Sequence, residues 1–264
     1  MTSLRKLSNL NIFFGIFAAV FYQELLFFKM KNIDVCLTPD LLHLHNIDNT
    51  IVIVTDIFRA TSCMVTGFAY GVKAIIPVET VEECQQLQEK GYIAAAERNA
   101  QKVEGFDLDN SPFSYMDEKL IGEKIAMTTT NGTYSITKAK SSAVKVLVGA
   151  FLNLNAIVEY LKTQPYDVLV LCAGWKGKVN LEDTLFAGAV VDAVQDEYFV
   201  AEDSAILAMR MYQQAKDDML GYLANSSHIR RLQRLGINKD ISYCLQRDLY
   251  DVVPVLRGNE LVNM

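Results

Sequence analysis

The chain is poor in the residues that would sort it quickly into a class. Its 264 residues include only three histidines, one tryptophan and five prolines. The five cysteines, Cys36, Cys63, Cys84, Cys172 and Cys244, are odd in number, widely spaced and set mostly among apolar neighbours. No C-x-x-C occurs, which argues against a zinc site or a disulfide framework and for reduced, buried thiols. Positive charge is also scarce, 25 Lys and Arg against 31 Asp and Glu, a net charge of −6. Broad nucleic-acid binding needs clustered cations to displace counterions, so none is expected. A local basic pocket for a small anion is still compatible with that balance. There is no Pro- or Gly-rich linker, low-complexity tract or evident repeat.

Long apolar runs are missing too, with one exception. Residues 12–22, behind Arg5 and Lys6, have the layout of a secretory signal. The run is shorter than the roughly 20 residues a bilayer span needs. Gln23 and Glu24 interrupt it, no small-x-small cleavage site follows, and Met30 leads at once into the strand-like MKNIDVCLTP. Residues 1–29 therefore read as an extension ahead of a cytoplasmic enzyme that starts near Met30, with no membrane attachment expected of the mature domain.

What is present is a regular alternation. Strand-like runs at 33–37, 50–55, 73–78, 92–96, 124–128, 144–148 and 167–172 are separated by helical patterns at 61–70, 80–90, 134–140 and 155–162. After Leu181 the pattern is mostly helical, at 183–195, 204–223 and 241–247, before a last strand at 252–256. Such alternation implies a three-layer α/β/α fold with a largely parallel or mixed central sheet. One domain over residues 30–264 is expected, with a helical C-terminal part after about residue 196. The apolar helices after Asp203, with Met209, Met211 and Met219, suit a core or a homo-oligomer contact.

In open α/β sheets, ligands sit beyond the carboxyl ends of the strands. Asp56 and Arg59 follow the run TIVIVT. The acid suits a metal or a nucleophile and the guanidinium suits a phosphate, although a capping Asp with a surface Arg fits equally well. Glu97 and Arg98 follow another strand and lead into a long polar loop carrying Asn110 and Ser111. TTTNGT opens a helix with Thr129, Thr130, Asn131 and Gly132, the ingredients of an anion cradle and equally of an ordinary capped turn. Beyond the strand ending at Cys172 lie Trp175, Lys176, Glu182 and Asp183. If the four acids converge, two carboxylates about 5 Å apart repel by roughly 3 kcal/mol at an effective dielectric near 20. They must then share protons or hold a cation, and an all-oxygen set favours Mg²⁺ over Zn²⁺.

The strings DIFRATS, ERN with EGFDLDNSP, TTTNGT, and LCAGWKG with LEDTLFAGAVVDA resemble, in order and spacing, the 2-phosphosulfolactate phosphatase family. The likeness runs from about Ile51 to Asp192 and more loosely onward through SSHIRRL and VVPVL. It implies a Mg²⁺-dependent phosphatase acting on the phosphate ester of a small acidic 2-hydroxy acid, in a family linked to coenzyme M synthesis. Three positions depart from the family pattern: Ala96 and Ala100 where glycines usually flank E-R-N, Asn180 in place of a serine, and Ser62 in place of a threonine.

Mapped through that resemblance, Asp56, Glu97, Glu182 and Asp183 become the expected Mg²⁺ ligands. Asp56, Arg59, Glu97, Arg98 and Asp183 are the expected catalytic residues. Asn110, Ser111, Thr129, Thr130, Asn131 and Gly132 would hold the phosphorylated substrate, and Lys176, His228 and Arg230 its acidic end. A non-catalytic binder of small phosphorylated acids, or a phosphotransferase, would use the same residues. The lack of a Walker A string speaks against a nucleotide donor.

Overall fold

Every residue of the run TIVIVT is buried, as befits a strand covered on both faces. The computed structural model describes residues 30–98, 101–200 and 202–264, so the expected N-terminal extension lies outside the described residues. The strands are β1 (Lys31–Cys36), β2 (Thr50–Thr55), β3 (Ala74–Pro77), β4 (Ile93–Arg98), β5 (Gln101–Lys102), β6 (Lys124–Thr128), β7 (Lys145–Val148), β8 (Asp167–Cys172), β9 (Tyr198–Phe199), β10 (Pro254–Arg257) and β11 (Glu260–Asn263). They form one mixed sheet in the order β5-β4-β6-β3-β11-β10-β7-β2-β8-β1-β9. One parallel group is β4-β6-β3 and another is β7-β2-β8-β1-β9. The antiparallel hairpin β10–β11 lies between them, paired to β7 through Val255–Leu147 and to β3 through Leu261–Ile75.

The helices are α1 (Ala60–Ala69), α2 (Val81–Gln88), α3 (Gly132–Lys140), α4 (Leu154–Lys162), α5 (Leu181–Val194), α6 (Asp203–Ala215), α7 (Met219–Leu223), α8 (Ser227–Arg234) and α9 (Asn238–Cys244). Helix α2 starts where Thr80 and Glu83 cap each other reciprocally. Helix α5 is apolar almost all round and is buried accordingly. Gly188 lets it cross α6 closely, since a Cβ there would lie 1.9 Å from the Ala208 carbonyl oxygen.

The structure adds short strands at Gln101–Lys102 and Tyr198–Phe199 and a helix at Ser227–Arg234 to the expected elements, and two further details differ. The single helix expected over 204–223 is split, because Asp218 caps a new helix by accepting from the Gly221 N–H at 2.9 Å. The expected last strand has a partner: Gly258 and Asn259 form a two-residue turn into β11, with Gly258 at φ +61°. All five cysteines are free and buried, and Met209 and Met219 are buried in the core. Among the described residues no helix is long and apolar enough to cross a membrane.

Candidate active site

The loop after β2 enters α1 through Asp56, Ile57, Phe58 and Arg59, all buried. The first turn of α5 brings Glu182 and Asp183 beneath it, both almost wholly buried. At a helix N-terminus the macrodipole favours negative charge, which offsets part of the cost of burying them. Asp183 joins two strand-end loops: its Oδ1 accepts from the Ile57 N–H at 2.9 Å and its Oδ2 from the Gly174 N–H at 3.0 Å. Glu182 accepts through Oε1 from Nδ1 of His228 at 2.5 Å, while its Oε2 is buried without a partner. Asn180 lies beside the same imidazole at 3.4 Å.

These acids act on one another. Burial raises the Asp56 carboxyl to about 6; His228 opposes that rise, while Glu182 and Glu97 add to it. Burial, then Glu182 and Asp56, holds the Asp183 carboxyl well above the usual carboxylate range against its two N–H donors. Arg59 meets the acids as a cation already engaged, because its Nη1 donates to the buried carboxylate of Asp240 on α9.

The third strand end supplies a helix start. Thr129 and Thr133 cap each other, each hydroxyl accepting the other's backbone N–H at 3.2 Å. Gly132 brings α3 hard against the acid loop: a Cβ there would lie 2.7 Å from Ala60 Cβ and 3.1 Å from Asp56 Oδ2. A glycine is therefore required by close approach, not by backbone conformation. Asn131 Oδ1 accepts from the Lys176 N–H at 3.4 Å, tying this loop to the one after β8.

One cleft is lined by most of the expected residues: Asp56, Arg59, Glu97, Asn110, Thr129, Thr130, Asn131, Lys176 and His228. Phe58, Trp175, Arg231 and Leu232 complete its lining. Glu182 sits behind His228, and Gly132 behind Asp56. The structure does not bring Arg98, Ser111 or Arg230 to the cleft lining. Successive strand residues point to opposite faces, and Arg98 instead donates to the Glu97 carbonyl and to Thr128 Oγ1. Ser111 lines a neighbouring hollow with Asp109, Lys239 and Asp240, to which Arg59 also contributes. On α8, positions three and four after His228 share its face. Arg231 and Leu232 therefore join the cleft, and Arg230 is turned to the exposed side.

Asp240 and Arg231 are the residues that sequence reasoning missed. Asp240 lies 181 positions from its partner and carries no motif. The helical phase of α8 could have singled out Arg231 once His228 was suspected.

The donor set suits a hard cation: carboxylates converge and one Glu182 oxygen is unpaired. Among the described residues no three His, Cys, Asp or Glu side chains form a ready-made metal shell. A cation here would complete its coordination with water and substrate oxygen, as Mg²⁺ commonly does.

Comparison with known proteins agrees with this arrangement. The family profile described as 2-phosphosulpholactate phosphatase matches residues 36–259. A protein of Thermotoga petrophila named "Probable 2-phosphosulfolactate phosphatase" is 42% identical over 204 residues, covering 77% of this chain and 88% of its own length. A relative of the same name from Caldanaerobacter subterraneus is 38% identical over 212 residues, covering 78% and 88%. One from Clostridium beijerinckii is 34% identical over 235 residues, covering 87% and 98%.

Proposed function

This chain belongs to the 2-phosphosulfolactate phosphatase family, a family of phosphoric monoester hydrolases, and from that premise we propose that it hydrolyses 2-phosphosulfolactate to sulfolactate and phosphate with Mg²⁺ as cofactor. The observation that carries the reading is the meeting, in one cleft, of Asp56, Glu97 and Arg59 with the start of α3. Acids alone would repel a phosphate ester. Acids joined to a fixed guanidinium and a helix N-terminus suit a phosphoryl group bound through a divalent cation.

Asp56 and the free Glu182 oxygen, with Glu97 near them, would hold Mg²⁺, which when bound neutralises phosphoryl charge and acts as a Lewis acid. Arg59, fixed by Asp240, offers its remaining donors to the equatorial phosphoryl oxygens as their charge shifts. Thr130, Asn131 and the N–H groups opening α3 orient the phosphate. Burial raises the Asp56 carboxyl to about 6, and Asp56 is the proposed acceptor of the attacking water's proton. Asp183 is a positioning residue, since both of its oxygens already hold backbone N–H groups. His228 keeps Glu182 oriented through Nδ1.

The test is phosphate release from 2-phosphosulfolactate by the full chain, with Mg²⁺ and after chelation. Turnover that disappears on chelation and returns with Mg²⁺ is expected. Tight binding without release would make the protein a binder of phosphorylated acids. A hydroxylamine-sensitive phosphoryl adduct on Asp56 would make that residue the nucleophile instead of the base.

A further inference from the structure

Besides its acids, the cleft carries two cations that the phosphatase chemistry above does not use. Lys176 Nζ and the Arg231 guanidinium carbon each lie 4.8 Å from the centroid of the Trp175 ring. Among the described residues no carboxylate pairs with either. Arg231 Nε is buried and has no hydrogen-bond partner. A ring face attracts a cation but accepts no directed hydrogen bond in the guanidinium plane, so an orphaned Nε still costs free energy until an acceptor arrives.

The other arm is held in place by its backbone. Trp175 and Lys178 exchange both backbone hydrogen bonds, at 2.8 and 3.0 Å, around a two-residue turn. Both central residues are left-handed, Lys176 at φ +52° and Gly177 at φ +74°. Asn or Gly would sit there without strain, whereas a lysine is disfavoured in that region. The conformation presents the lysine beside Trp175, and the Asn131 contact fixes the turn relative to the phosphate cradle.

We propose that Lys176 and Arg231, braced on Trp175, form a second anion subsite that takes the acidic tail of the substrate, a sulfonate or carboxylate a few bonds from the phosphorus. It deepens the phosphatase reading and rests on it. A planar guanidinium with free donors matches the oxygens of such a tail, and the lysine adds a second charge. Arg59 is already committed, to Asp240 and, in the reading above, to the phosphoryl oxygens.

Trp175 is the sole tryptophan, so its emission reports directly on the subsite. The full chain is titrated with sulfolactate, which has the tail and no phosphate, and separately with inorganic phosphate. Sulfolactate is expected to shift the emission saturably and phosphate to leave it nearly unchanged. Arg231→Met should weaken sulfolactate at least 30-fold, and Arg231→Lys should recover part of that loss. In turnover, the ratio of kcat/KM for phosphosulfolactate to that for phenyl phosphate should fall at least 30-fold in Arg231→Met, chiefly through KM. Lys176→Met, at an exposed site where folding is not at risk, should lower the same ratio about 5- to 10-fold. An unchanged ratio in both variants, with wild-type phosphosulfolactate turnover intact, would overturn the subsite. If the wild type cleaved neither ester while sulfolactate still shifted the emission in an Arg231-dependent way, the phosphatase reading would fall and the subsite would stand.

Discussion

The two ends of the sheet treat polar groups in opposite ways. At the amino ends of the parallel strands, polar side chains are exposed, half-exposed or, as at Thr50, buried, and find partners. Asp167 accepts from the Asn32 N–H, Lys145 donates to Tyr160 Oη and Gln164 Oε1, and Lys124 pairs with Glu260. At the carboxyl ends they are buried and incompletely satisfied. Thr38 Oγ1 beyond β1 and Thr55 Oγ1 at the end of β2 lack partners, as do Glu182 Oε2, Asn110 Oδ1 and Arg231 Nε. Buried polar atoms are nearly always paired in folded proteins, so a group of exceptions at one end marks where something other than protein is meant to bind. The amino end contributes stability, and the carboxyl end gives up stability to be ready for a ligand.

The sharpest way to break this contrast is at Asp56. Asp56→Asn should lower turnover by roughly 10³-fold, the range expected for loss of a positioned base. The same variant should melt higher than the wild type in chelator at pH 7.5. The wild-type Asp56 carboxyl is raised to about 6 on folding, against about 3.9 for an unfolded Asp. A raised carboxyl binds its proton more tightly when folded, so stability falls as pH rises from about 4 to about 6 and stays lower above that. The gain from Asn should therefore be full above pH 6 and vanish below pH 4. Melting curves across that range check it, and an Asn variant less stable at pH 7.5 would contradict the ligand-ready reading of this end.

The next effect concerns a paired group at the same end. Asp240→Asn keeps the shape of α9 but removes the charge that fixes Arg59, and turnover is expected to drop about 10²-fold. Arg59→Lys should be at least as damaging, since a lysine cannot present a fork to Asp240 and phosphate together. Steady-state kinetics of both variants decide whether the pair positions the guanidinium or merely fills space.

Away from the cleft the effects should be on stability alone. The hydrogen bond that His45 donates to Asp34 is the main cause that raises His45 from 6.5 to about 10, and Asp34 also accepts from Ser204 on α6. A histidine raised on folding stabilises fully below pH 6.5 and loses that contribution as pH climbs through about 10. His45→Gln should lower the melting temperature by about 2–4 °C at pH 6 for each kcal/mol lost, and by progressively less towards pH 10. Smallest of all, Lys124→Met removes a solvent-screened, half-exposed ion pair and should leave turnover untouched. A loss of activity there would erase the distinction between the two ends.

The elements themselves were largely legible. The runs at 50–55, 124–128 and 167–172 form strands with the expected bounds, because continuous apolar β-branched stretches have one favourable fate in a doubly covered sheet. The β10–β11 hairpin was only half legible: its first strand was visible, while the Gly258–Asn259 turn that returns the chain went unnoticed. The residues directly after strands do line one cleft, since the carboxyl ends of a parallel sheet converge by construction. Arg98 was grouped with Glu97 by adjacency, although strand alternation separates them; Arg230 was chosen over Arg231, although helical phase favours the latter.

The sequence by itself determined the parallel α/β alternation, the acids and hydroxyls placed beyond the strand ends, and the family to which the motifs belong. The first two follow from local periodicity and short spacings, and the family from the likeness of the motifs to its members. Only the tertiary structure decided that Asp183 joins the β2 and β8 loops, that Asp240 holds Arg59, that Glu182 keeps one oxygen free, and that Arg231 shares a ring with Lys176. The Arg59–Asp240 pair spans 181 positions and the Ile57–Asp183 bond 126. Contacts at such separations are fixed by how helices pack and in which phase they face the sheet, and one sequence carries no local signal of that geometry.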